Sequence, residues 1–384
     1  MKILFITEKY PPIVCAGNRV YNLVKELSKK HDITVFTRKN NRWLFPMPLD
    51  RTIPQISKVK KIYFKINDSL FLLPTMILFR LNLISNSKFY FRNGKKTINK
   101  NKNLFNEFDL VIASGPSWHS FYLAEYLFDK YNIPFILDYR DPWISKNKLE
   151  TNIQRRIINK AKKVVTVTKS CVNIIKNINN YNQNISIIEN GVDLSIYKNL
   201  RVNQNKNKLL KIGFAGRFVN YHNVDKLLFA ISKLPLNIKK NIIFEGCGSL
   251  YKKYKLLAKK LQITSNFYGH LSIDKMNNVL NKCDLLYTGN SNNNAIGGKF
   301  YNYLALNKPI LLHTFNNSTL DIEVNQNKLG FVSYNIKELS LIIKNIYLNK
   351  KLLDKNNFKI EKYIQNYDWK ILAKKYNWVI KDFK

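Results

Sequence analysis

Short uninterrupted apolar runs alternate along this chain with longer segments whose apolar residues recur every three or four positions. The first run, Lys2–Thr7, is followed by a loop containing Pro11 and Pro12 and then by a periodic segment from Asn18 to Lys30. Further runs fall at Ile33–Phe36, Leu110–Ala113, Phe135–Leu137, Val164–Thr168 and Ile185–Ile188, with helical periodicity clearest at His119–Lys130 and Ser170–Ile178. Strands that lack polar alternation are expected where a parallel sheet is covered on both faces. The pattern therefore predicts an α/β chain built on a doubly wound parallel sheet.

The same grammar restarts after a polar stretch, Tyr197 to Lys208, which has little to bury and reads as a linker. Strands are expected at Leu209–Ala215, Ile242–Glu245, Leu285–Thr288, Pro309–Leu312 and Gly330–Val332, and helices at Asn223–Ser232, Leu250–Leu261 and Asp274–Asn281. The last helix, Trp369 to Phe383, carries Trp369, Leu372, Tyr376, Val379, Ile380 and Phe383 on one face and leaves Trp378 off it. The expected organisation is a first domain over 1–196, a linker over 197–208, a second domain over 209–366 and a C-terminal helix over 367–384.

A length of 384 residues suffices for two domains with full cores, and 45% hydrophobic content excludes a disordered chain. Charge complicates the picture, since 64 Lys+Arg against 25 Asp+Glu gives +39. Three readings stand: drift of composition toward Lys, Asn and Ile, attraction to an anionic membrane, and nucleic-acid binding. The lysines are scattered rather than blocked, which argues against a dedicated nucleic-acid arm. Cys15, Cys171, Cys247 and Cys283 lie far apart without metal-ligand spacing, as in a reduced cytoplasmic protein. The N-terminus reads as a buried strand rather than a signal peptide, and no run has the length of a transmembrane helix. Leu70–Phe79 is the most apolar stretch, flanked by Lys58, Lys60, Lys61 and Lys65 before it and by Lys88, Arg92, Lys95 and Lys96 after it. That arrangement suits reversible contact with an anionic bilayer, or else packing of the apolar stretch onto the sheet.

The candidate chemistry lies at strand ends. Gly213-Phe214-Ala215-Gly216-Arg217 is an apolar strand closing in a glycine turn with a cation. Gly297-Gly298-Lys299 opens a helical segment that continues Phe300-Tyr301-Asn302-Tyr303-Leu304-Ala305. Both put backbone amides and a positive charge where an anionic nucleotide is bound in open α/β sheets. With Pro11-Pro12 before Ala16-Gly17, Asp138-Tyr139-Arg140-Asp141-Pro142-Trp143, and Glu189-Asn190-Gly191-Val192-Asp193, these segments stand in an order and spacing that resembles the retaining GT-B glycosyltransferases of family four. Within that family the chain resembles the branch with a D-[FY]-R-D-P-W segment. The resemblance covers nearly the whole chain. It implies two Rossmann-like domains facing across a cleft, a C-terminal helix crossing back to the first, and a nucleotide-diphosphate sugar as co-substrate without a metal.

By that resemblance, Arg217 neutralises the leaving diphosphate, a role shared in relatives with a Lys a few residues on. Here His222 takes that position and Asn223 stands where a Gly is usual, leaving Lys299 as a substitute cation. The acids that relatives carry at E-x7-E spacing are both amides, Asn294 and Asn302, and the second is the expected ribose contact. Gly17, Gly297 and Gly298 are expected to let amides approach the donor, while Gly246 and Gly269 mark strand-end turns near it. On the acceptor side Arg19 is either an anion contact or a solvent-exposed residue. His119 either lines the site or is a capping or core histidine. In the Asp138, Arg140, Asp141 cluster a carboxylate orients the acceptor hydroxyl or the sugar, or else the cluster is a mutual Arg-carboxylate lock. The expected activity is retaining transfer to a lipid-linked cell-envelope or capsular glycan, by front-face displacement without a side-chain nucleophile, at the inner face of the cytoplasmic membrane. The alternative is a GT-B-like protein that binds sugar-nucleotide or glycan without turnover, motivated by Asn294, Asn302 and His222; an epimerase fits the D-Y-R-D-P-W pattern poorly.

Overall fold

A computed structural model describes residues 1–13, 19–40, 49, 53–65, 86–145, 147–179, 185–198, 209–290 and 296–383. The chain folds as two compact units, Met1–Glu189 together with Trp369–Lys384, and Asn190–Asp368. The change of unit falls at Glu189–Asn190, upstream of the polar stretch. Residues 199–208 of that stretch lie outside the described residues, and Tyr197 is buried in the core of the second unit with Val192.

The first unit holds a parallel sheet of β1 (Lys2–Ile6), β2 (Asp32–Arg38), β3 (Lys60–Phe64), β4 (Leu110–Gly115), β5 (Phe135–Tyr139), β6 (Lys163–Thr166) and β7 (Ile185–Ile187), in the order β3-β2-β1-β4-β5-β6-β7. Its helices include α1 (Arg19–Leu27), α2 (Asn86–Lys100), α3 (His119–Tyr131), α4 (Lys148–Lys160) and α5 (Lys169–Asn179). Successive strand residues face opposite sides. Leu4 and Ile6 join a core with Phe64, Tyr90 and Phe121, while Ile3 and Phe5 join Val20, Leu23 and the C-terminal helix. That helix spans Trp369–Lys381 and buries Trp369, Leu372, Tyr376, Val379 and Ile380; Trp378, off the stripe, is 68% exposed.

The second unit repeats the plan with β8 (Leu210–Ala215), β9 (Ile242–Cys247), β10 (Ser265–Phe267), β11 (Leu285–Gly289), β12 (Ile310–His313) and β13 (Gly330–Ser333), in the order β10-β9-β8-β11-β12-β13. Its helices include α6 (Val224–Ser232), α7 (Lys252–Lys260), α8 (Ile273–Asn281), α9 (Gly298–Ala305), α10 (Thr319–Gln326), α11 (Ile336–Leu348) and α12 (Ile360–Gln365); the C-terminal helix is α13. Two strands, β3 and β10, show no apolar run in the pattern, although the Gly269 turn marks the end of β10. Each is an edge strand, and their burial is interrupted, with Tyr63 and Asn266 exposed. Strand order reverses between β1 and β4 in one unit and between β8 and β11 in the other. Ligands of such sheets sit outside the carboxyl ends at those reversals.

Candidate functional site

The β8–β11 reversal gathers most of the described donor candidates. Pairing between β8 and β11 stops at Gly213, so the next backbone groups on that side of β8 need other partners. Tyr303 supplies them: the Ala215 N–H donates to its hydroxyl at 2.6 Å, and the hydroxyl donates to the Ala215 carbonyl at 3.1 Å. The β8 end is thereby tied to α9, and the chain turns at Gly216 with φ +137°, a conformation that favours glycine. On the other side the Gly216 N–H donates to Cys247, and Gly248, at φ +139°, lies so close that a Cβ would fall 1.8 Å from the Gly216 oxygen. Gly248 then donates to the Gly269 carbonyl at 2.5 Å, which joins the β8, β9 and β10 turns into one rim.

Arg217 emerges from this rim exposed to solvent, while Phe218 turns inward against Phe214 and Tyr254. No ion pair involves Arg217 among the described residues. His222 follows in a short 3-10 turn, and Lys299 reaches it from α9 with Nζ 2.9 Å from Nδ1 and lying over the Phe214 ring at 4.7 Å. Burial pushes the Lys299 ammonium down to about 7. Burial and the neighbouring Lys299 hold His222 at about 3, so a neutral imidazole accepts from the lysine. The position where relatives are expected to carry a lysine is thus occupied by a histidine in contact with one from elsewhere in the chain.

The first turn of α9 has Gly297 at its N-cap with no side chain capping it, and a Cβ on Gly297 would meet nothing within 4 Å. The partial positive charge of the helix end lies here and favours an anion. Gly298 and Asn302 are half-buried on the same helix, and Lys299 and Tyr303, four residues apart, share a face. Taken alone, Tyr303 carries no mark of function in the sequence; its spacing from Lys299 is the signal that finds it. Gly246 differs from expectation: it is buried inside β9, where a Cβ would crowd Phe218 and Phe244 at 2.9 Å, so glycine there serves packing. Gly17 and Asn294 lie outside the described residues.

In the first unit two candidates turn out to be core. Arg19 and Asp138 are fully buried and paired, with Nη2–Oδ1 at 2.8 Å and Nε 3.2 Å from both carboxylate oxygens. Ser114 donates to the same carboxylate at 2.8 Å, and the third guanidinium nitrogen donates to the Glu189 carbonyl at 2.7 Å. Among the described residues the carboxylate's donors are Arg19 and Ser114, so the charges of Arg19 and Asp138 are spent on each other and on the fold. The lock joins β5 to α1 rather than Asp138 to Arg140. Arg140 instead donates to the backbone oxygens of Gly115 and Pro116, leaving Asp141 as the exposed carboxylate of the cluster. Trp143 is buried and stacked on Trp118 at 5.0 Å, which fixes the D-Y-R-D-P-W segment beneath α3.

His119 is likewise a core histidine. It is fully buried between Phe64 and Tyr90, neither ring nitrogen has a hydrogen-bond partner among the described residues, and burial with Arg38 and Arg140 nearby pushes it down to about 3. The apolar stretch Leu70–Phe79 lies outside the described residues. Among the described residues no helix is long and apolar enough to cross a membrane, and no group of His, Cys, Asp or Glu side chains could hold a metal ion.

The sequence model of Glycosyltransferase Family 4 matches residues 16–196, and that of Glycosyl transferases group 1 matches residues 196–382. No curated protein sequence matches the chain. Among solved structures, HepE of Anabaena in complex with UDP and glucose aligns over 100% of both chains at 14% identity, with a TM-score of 0.73. A glycosyltransferase of Rickettsia africae aligns over 100% of this chain and 98% of its own at 18% identity, TM-score 0.68. WaaG, a glycosyltransferase involved in lipopolysaccharide biosynthesis, aligns over 97% and 98% at 14% identity, TM-score 0.65. The shared fold is GT-B, with two Rossmann-like units.

Proposed function

We propose that this chain, which belongs to the group 1 glycosyltransferases of family 4, transfers a sugar from a nucleotide-diphosphate donor to a cell-envelope or capsular glycan acceptor, with retention at the transferred carbon. The observation that carries the reading is the convergence of exposed Arg217, Lys299 and the uncapped α9 N-terminus at the β8–β11 reversal. Breaking the sugar–phosphate bond leaves a diphosphate that must be stabilised as its charge develops. Fixed cations and amides supply that stabilisation without moving. One solved relative with this fold, HepE of Anabaena, holds UDP, UDP with glucose, or UDP-glucose in separate structures, which supports a nucleoside diphosphate as the leaving group.

Asn302 contacts the donor ribose through its amide, and Gly269 lies beside the nucleobase. The acceptor is assigned to the first unit, with Arg140 and Asp141 at the end of β5 as its polar contacts. Front-face displacement needs no side-chain nucleophile: the departing phosphate oxygen takes the acceptor proton, and the protein contributes position and charge. A lipid-linked acceptor, and contact of the basic flanks at Lys58–Lys65 and Lys88–Lys96 with an anionic membrane at its cytoplasmic face, complete the reading.

The decisive variant is Arg217→Ala. Exposure of the side chain leaves folding intact, and loss of one charge-stabilising donor lowers turnover on the order of 10²–10³-fold. Unchanged nucleotide affinity and unchanged turnover in a folded Arg217→Ala protein refute the donor site. A second reading, binding without turnover, is favoured by one observation, the amide at Asn302 where a carboxylate is expected. Saturable binding of a nucleotide-sugar with no hydrolysis or transfer across a panel of donors selects it.

A further inference from the structure

We propose that α7 of the second unit is a docking face for an anionic phospholipid surface, separate from the basic flanks of the first unit. The helix reads Lys252-Lys253-Tyr254-Lys255-Leu256-Leu257-Ala258-Lys259-Lys260, five lysines and no acid in nine residues. Tyr254 and Ala258 face the core, and all five lysines are exposed. Leu256 stands among them 69% exposed, with Lys252 and Lys253 one turn before it and Lys259 and Lys260 one turn after. An apolar side chain encircled by cations is the arrangement that enters a bilayer interface while the ammonium groups meet lipid phosphates.

Helix stability accounts for Lys259 and Lys260, which suit the dipole in the last turn, and not for the other three lysines. Two lysines in the first turn oppose the helix dipole, and Lys255 repels Lys259 one turn on. No ion pair to a lysine of α7 offsets these costs among the described residues. The patch also continues beyond the helix. Leu250, 57% exposed, is held at φ +63°, a left-handed conformation unfavourable for leucine, and Tyr221 is 51% exposed. These two line a groove of about 620 Å³ with Phe218, Asn220, Lys253 and Tyr254. The nearest acid of the adjoining helix α6 is Asp225, in its first turn. Exposed leucines among the lysines distinguish a lipid partner from a nucleic acid, whose phosphates require only the charge.

The test is flotation of the unliganded full chain with vesicles of phosphatidylcholine alone or mixed with phosphatidylglycerol. Its readout is lipid binding, so it stands apart from any transfer assay. The chain is expected to bind the anionic vesicles, less tightly as salt rises. Lys253→Gln with Lys260→Gln weakens binding on the order of 30-fold, at about 1 kcal/mol per lysine near a charged surface. Leu256→Gln, which leaves the charge unchanged, weakens it about ten-fold by removing the apolar side chain that enters the bilayer interface. A charge-matched pair at exposed lysines elsewhere in the unit, Lys355→Gln with Lys359→Gln, leaves binding within a few-fold. Circular dichroism melts confirm that each variant is folded. Equal losses from the two lysine pairs, a silent Leu256→Gln, absence of vesicle binding by the unaltered chain, or tighter binding to polyuridylate that ignores Leu256 would each overturn the assignment.

Discussion

Replacing Lys299 with Gln should change how nucleotide binding depends on pH more than it changes anything else about the protein. In the unliganded chain the ammonium loses its proton at about 7, because it is buried against Phe214 and the neutral His222 ring. A diphosphate beside it favours the charged form, so binding takes up a proton wherever the free lysine is neutral. If the bound lysine stays protonated, affinity falls as pH rises through 7 by a factor of one plus ten raised to the excess of pH over 7. That is about ten-fold between pH 6 and pH 8 and about a hundred-fold by pH 9. The nucleotide's own phosphate gains charge over part of this range and binds better for it. That contribution is common to both proteins and cancels in the ratio of native to Lys299→Gln affinities. Isothermal titration calorimetry with UDP across that range, in buffers of different ionisation enthalpy, measures both the affinity and the proton uptake. Parallel pH profiles for the two proteins, with no proton uptake by the native chain above pH 7, would show that Lys299 does not meet the diphosphate.

The same lysine has a signature in stability. The unfolded chain binds its proton up to about 10.5 and the folded chain only to about 7, so native stability rises with pH between those values. Lys299→Met should therefore stabilise the protein near neutrality, by on the order of 2–3 kcal/mol once solvent screening of the half-buried side chain is allowed for, and should flatten that rise. Arg19→Met leaves Asp138 buried without its partner and should cost about 3–5 kcal/mol in urea unfolding, far more than a surface arginine would. His119 is neutral in the core down to about 3, whereas the unfolded chain takes up that proton near 6.5, so stability is lost as pH falls between them. At pH 5 the loss is about 2 kcal/mol for this residue, and His119→Phe should remove it from the acid melting profile. Asn302→Glu should tighten UDP binding several-fold if the side chain meets the ribose, since a charged acceptor is stronger than an amide; unaltered affinity reassigns that contact and leaves the rest of the rim standing.

The sequence by itself determined the repeated α/β plan. Runs such as Leu110–Ala113 and Ile310–Leu312 are buried on both faces, so every residue is apolar and the strand announces itself without its neighbours. Edge strands have no such need, and β3 and β10 carry no apolar run because exposed positions break it; only the glycine turn at Gly269 marks where β10 ends. The turn that presents Arg217 and the helix start at Gly297 were also legible, the first because Gly216 takes a φ of +137° that favours glycine and the second because helical periodicity resumes there. Pairing was not. Arg19 and Asp138 lie 119 residues apart, and nothing local distinguishes a charge that meets a ligand from one that meets its buried counterpart. Likewise the position of His119 is compatible with a site residue or a core histidine, and only the rings of Phe64 and Tyr90 around it decide for the core. Lys299 and His222, 77 residues apart, become one donor–acceptor pair because α9 is tied through Tyr303 to the end of β8. Local pattern fixes which backbone forms where, whereas the sign and availability of a charge depend on what the tertiary fold places within a few ångströms of it.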